Sequence, residues 1–95
     1  MEYKIIRIQH TGSCGEVGTD RTDGIYPDRI GRIVDLDPEH ISIDLPMLLK
    51  YVKDSDGQDM REKYICTSRV KNISKKENKV IVETWNSVFT FEKVR

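Results

Sequence analysis

The chain has 95 residues, 34% of them charged, and its sixteen Lys and Arg are matched by sixteen Asp and Glu. That length suits one small domain, 1–95, and excludes a large enclosed core. Net neutrality argues against a polycation dedicated to nucleic acid. No apolar run approaches the ~20 residues of a bilayer span, and Met1-Glu2-Tyr3-Lys4 lacks the apolar core of a secretory leader. A cytoplasmic protein without membrane contact is expected. Two cysteines, Cys14 and Cys66, are too few for a disulfide scaffold, so reduced thiols are expected.

Tyr3-Lys4-Ile5-Ile6-Arg7-Ile8 is rich in β-branched residues and predicts a first strand, with isoleucine at both parities. From His10 to Gly24 the alternation stops. Gly12, Gly15, Gly18 and Gly24 sit among Thr, Ser and Asp, which predicts a long surface loop. The run Arg29 to Leu36 reads as a strand, and Asp37-Pro38-Glu39-His40 as a turn or one helical turn with Asp37 as N-cap. Ile41-Ser42-Ile43-Asp44-Leu45 alternates again, so Gly31 to Leu45 predicts a hairpin. Through Gly31, Ile33, Val34 and the Asp37-Pro38 turn, this segment resembles the KOW-type hairpin of SH3-like barrels. The resemblance implies a fold and no function.

Met47 to Lys53 predicts a strand closed by the Asp54-Ser55-Asp56-Gly57 turn. Tyr64-Ile65-Cys66 and Arg69 to Ile73 predict an extended segment kinked at Thr67-Ser68, and Lys75 to Asn78 a polar turn. The clearest element is the last. Lys79 to Trp85 and Val88 to Val94 flank Asn86-Ser87, the form of a tight hairpin. With that loop, Trp85 faces Val88, Thr84 faces Phe89 and Val82 faces Phe91, and one face carries Val80, Val82, Phe89 and Phe91. The run Thr84 to Phe89 is similar to hairpins of small bacterial or phage proteins and supplies no role. The expected fold is all-β: a small barrel of five to seven antiparallel strands, SH3-like or alternatively OB-like, with at most one helical turn near 37–40.

No pattern points firmly to chemistry. The Thr11 to Gly18 loop has the glycines of a phosphate cradle but neither a following helix nor a Gly-Lys-Ser/Thr ending. His10, Cys14, His40 and Cys66 are zinc-type ligands, but only His10 and Cys14 are close in sequence. Asp54, Asp56 and Asp59 miss the spacing of a calcium loop. No metal and no cofactor is therefore expected, and no enzymatic activity. The leading expectation is a binding module for a peptide or protein partner, using Tyr26, Arg29, Tyr51 and Trp85 on a groove or sheet edge. The alternative is nucleic-acid binding through the basic stretch 61–79, where Arg69, Lys71, Lys75, Lys76 and Lys79 lie. A third reading makes Cys14 a nucleophile with His10 or His40 as base.

Overall fold

The computed structural model describes residues 1–12 and 15–94. Six strands form among them: β1 (Glu2–His10), β2 (Ile33–Asp35), β3 (Pro46–Lys53), β4 (Tyr64–Lys76), β5 (Lys79–Thr84) and β6 (Ser87–Lys93). Each pairs antiparallel with the next, and β1 also pairs with β6, so the sheet closes into a barrel in simple chain order. The small all-β barrel expected from the alternation is the fold observed. The OB-like alternative needs a Greek-key connection, and a plain meander has none.

The core is the inward face of all six strands. Ile5, Val34, Leu49, Val70, Val82 and Phe91 are fully buried, and the rings of Phe89 and Phe91 lie nearly parallel with centroids 5.9 Å apart. In β1 the two isoleucine parities are reconciled by a bulge between Ile5 and Arg7. The extra residue lets Ile5 and Ile8 both point inward, although they are three apart.

Three expectations need correction. The segment 41–45 is not a strand, and there is no hairpin from Gly31 to Leu45. In a closed barrel β2 has only two flanks, and β1 and β3 occupy them. Asp44 takes a positive φ of 71° and its amide donates to the Val70 carbonyl, which breaks the alternation. The strand read over 29–36 contracts to Ile33–Asp35, because Tyr26–Arg29 forms a short helix, α1, with Pro27 in its first turn. Gly31 then turns the chain at φ 93°, where a side chain would crowd Ser55. The helical turn near 37–40 is present as a 3-10 helix over Pro38–His40, capped by Asp37 accepting from the Glu39 amide at 3.0 Å, so the described residues hold two helical turns and not one.

The third correction concerns the C-terminal hairpin. Val82 pairs with Phe89 and Val80 with Phe91, so the loop is Trp85-Asn86, one residue earlier on each side than expected. Trp85 therefore does not face Val88. Thr84 sets the position: its hydroxyl donates to the Ser87 carbonyl at 3.0 Å and accepts the Ser87 amide at 3.1 Å. The partner numbering shifts by two, which preserves parity, so Val80, Val82, Phe89 and Phe91 still share the buried face. Near Thr67-Ser68 the expected kink is a bulge inside one continuous strand, with the Thr67 hydroxyl accepting the Met47 amide at 3.0 Å.

Candidate binding cleft beside the β5–β6 turn

The long loop is tied down by a residue that its composition did not advertise. Arg21 is 6% exposed, and a guanidinium is tolerated there only with a full set of partners. Its Nη1 donates to the Asn86 carbonyl at 3.1 Å and to Ser87 Oγ at 2.9 Å, and its Nε and Nη2 fork onto the Asp23 carboxylate. Its Cζ lies 3.9 Å from the centre of the Tyr26 ring. The Arg21 hydrogen bond holds the Asp23 carboxyl below its ordinary pKa of 3.8. The backbone follows: Arg21 N donates to the Ile8 carbonyl at 2.9 Å and His10 N to the Thr19 carbonyl at 2.8 Å. The second half of the loop thus lies along β1 and delivers α1 to the end of the barrel.

There α1 faces a gap. The last β4–β5 rung is Val70 opposite Thr84, so β4 runs on past the end of β5. Residues 64–66 keep ladder partners in β3, with Cys66 opposite Leu48 and Tyr64 opposite Lys50. The Tyr51 amide bonds the Lys63 carbonyl at 3.0 Å. Because antiparallel main-chain groups alternate in direction, those of Tyr64 and Cys66 then point away from β3. A cleft of about 320 Å³ opens on this side. Ile65 and Phe89 line it, with Ser68 and Asn86 at the turn and Tyr26 and Arg29 across from the strand.

Arg29 differs from the other sheltered arginines. Its Cζ lies 4.8 Å from the Tyr26 ring centre. Its Nε is buried with no hydrogen-bond partner among the described residues, and no carboxylate among them comes within ion-pair distance. Arg21 has Asp23, and Arg32 has Asp54 at 3.2 Å.

Outside the cleft, Trp85 is 55% exposed on the turn. Its amide donates to the Arg69 carbonyl at 3.1 Å, its carbonyl accepts the Thr11 hydroxyl at 2.7 Å, and Lys71 Nζ sits 4.7 Å from its ring centre. Leu48 and the 64% exposed Tyr64 lie on the outer face of the β3–β4 pair.

Of the four binding residues expected from the sequence, Tyr26 and Arg29 line one cleft and Trp85 stands on the adjoining turn. Tyr51 does not join them. It is 3% exposed in the core, with the Arg32 guanidinium 4.9 Å from its ring centre. The basic stretch is partly neutralised, Lys71 across the sheet by Glu83 at 3.4 Å and Lys75 by Glu39 of the 3-10 helix at 2.7 Å. Lys76 and Lys79 form the last rung at the opposite end of β5, and Arg69 is exposed beside Trp85. Sequence reasoning missed Arg21, Thr84 and Ser87. The one available signal was a Thr-x-x-Ser frame around a two-residue turn.

The other candidates stay apart. Cys14, with Ser13, lies outside the described residues. Cys66 is exposed on β4, His40 is exposed on the 3-10 helix, and His10 is buried with Gly15 packed on its ring. Among the described residues no group of three or more His, Cys, Asp or Glu could hold a metal ion. Asp54, Asp56 and Asp59 each accept a backbone amide of their own turn, from Ser55, Gln58 and Arg61. No described helix is long and apolar enough to cross a membrane. Comparison with protein-family models, with curated proteins and with solved structures finds no match to this chain.

Proposed function

We propose that this chain is a non-enzymatic cytoplasmic binding module, a small barrel of SH3-like size and use, that takes an extended segment of a peptide or protein partner along the free side of β4. The observation that carries the reading is the length mismatch between β4 and β5, which leaves the main-chain groups of Tyr64 and Cys66 directed away from β3 and puts Cys66 on the wall of an open cleft. Unpaired strand edges are templates for a further strand, and main-chain bonds of this kind hold peptides in strand-addition complexes. Trp85 stands beside the edge as an exposed apolar anchor, and large aromatic residues dominate such contacts.

Panning a random-peptide display library on the immobilised barrel tests the reading. Recovered peptides are expected to slow hydrogen exchange at the Tyr64 and Cys66 amides. Peptides that bind and leave both amides unchanged would remove strand addition.

A second reading, single-stranded nucleic acid stacked on Trp85, is favoured by the Lys71 ammonium over the ring and by Arg69 next to it. It requires affinity that falls steeply with salt. Salt-independent retention of ligand on this face counts against it.

A further inference from the structure

We infer that the cleft is a carboxylate site, so that the segment added beside β4 presents an Asp or Glu side chain to Arg29. This rests on the strand-addition reading for its choice of a peptide as the source of the carboxylate. Arg7, Arg21 and Arg32 each pair with an aspartate, Asp20, Asp23 and Asp54. Arg29 has no such partner among the described residues, although its Nε is buried. A sheltered N–H without an acceptor is rare in folded proteins, and a functional role is one of the recognised reasons for it. The guanidinium fork matches a carboxylate in shape and charge.

The remaining lining is complementary to an anion. No Asp or Glu lines the cleft. Asp23, just before α1, is already engaged by Arg21, and Asp28 within α1 does not line the cleft. Ser68 Oγ accepts the Asn86 amide at 3.2 Å and Ser87 Oγ accepts Arg21 Nη1 at 2.9 Å, so each hydroxyl keeps its own proton to donate. The Ser68 and Ser87 hydroxyls and an arginine whose Nε has no hydrogen-bond partner among the described residues thus line one cleft bordered by a strand edge. An incoming strand would supply main-chain groups to Tyr64 and Cys66 and one acid to Arg29.

Two measurements separate this proposal from the reading beneath it. In the first, the Arg29 Nε–H resonance is followed by NMR while sodium glutarate is added, with neutral glutaramide as control. A shift with glutarate alone is expected. An unmoved Arg29 signal overturns the carboxylate site, whatever peptides do. In the second, the library selection is repeated on wild type, Arg29→Gln and Arg29→Lys, each checked for a native spectrum. Wild type is expected to enrich Asp or Glu at one fixed position, Arg29→Gln to lose that preference at least tenfold, and Arg29→Lys to keep part of it. Peptides that slow exchange at Tyr64 and Cys66 without a fixed acid overturn the carboxylate site and leave strand addition standing. Glutarate shifting Arg29 while no peptide slows those amides does the opposite. Displacement of the acidic peptides by a single-stranded oligonucleotide at lower concentration overturns the acid side chain in favour of phosphate.

Discussion

The two halves of β4 are made from similar residues and take different partners. From Val70 to Lys76 the strand is flanked by β5, and its inward residue Val70 is fully buried. From Tyr64 to Ser68 it has β3 on one side and a cleft on the other, and Tyr64 and Cys66 are exposed. No rung gives β4 two strand neighbours at once: β3 pairs with it up to Arg69 and β5 from Val70 on, and the strand is fully buried only at Val70, where the two ladders meet. The difference arises from the end of β5, which Thr84 and Ser87 fix, and not from any property of β4 itself.

The sharpest way to break the comparison is to truncate a side chain on each side of it. Phe91→Ala removes a fully buried ring of the core and is expected to cost about 3–5 kcal/mol in urea unfolding. Leu48→Ala, on the outer face opposite Cys66, is expected to stay within about 0.5 kcal/mol. Equal costs would mean that the open half is buried in solution.

Arg21→Ala tests whether the polar plug holds the cleft in place. Loss of its charged hydrogen bonds to Asn86 and Ser87 is expected to cost about 2 kcal/mol. Exchange at the His10 and Arg21 amides, which the loop protects, should accelerate with it. Unchanged protection there would show that the loop is held without its arginine.

Trp85→Ala should leave stability within about 0.5 kcal/mol, because the ring stands largely in solvent. Peptide affinity is expected to fall about tenfold, or ~1.4 kcal/mol. An unaltered affinity would confine recognition to the edge and the cleft.

The smallest effect is on acidification. Asp23 has its folded pKa depressed by Arg21, so its contribution is complete above the unfolded value near 3.8 and fades as pH falls through the lower folded value. Asp54 behaves alike, first through the Ser55 amide and then through Arg32. Loop signals near Arg21 should therefore change only below about pH 3.8, and Asp23→Asn should abolish that change. A transition in the same signals near neutral pH would point to another group.

The hairpin shows how far residue patterning reaches. Val80, Val82, Phe89 and Phe91 were readable as one buried face because alternation survives a shift of two in pairing. The turn itself was not readable, since the Thr84 hydroxyl closes it around Trp85-Asn86 and nothing in local propensity outweighs Asn86-Ser87. Segment 41–45 alternates as well as any strand in the chain, yet β2 has both flanks filled before it could pair. For the site, Tyr26, Arg29 and Trp85 stood out by residue type. Tyr51 stood out for the same reason and is core, because type does not reveal which way a side chain on a closed sheet points.

The order of residues determined that this chain is built of short strands with one apolar face each, because side-chain direction along a strand depends only on parity. Where each strand stops beside its neighbour was decided in three dimensions. A bulge in β1, a hydroxyl clasp at the β5–β6 turn and a buried arginine from a distant loop set those limits; the clasp is local, and the other two depend on groups brought together by closure. The cleft lined by Arg29 is a product of that closure, since it exists only where β4 outlasts β5 and α1 is delivered across the gap.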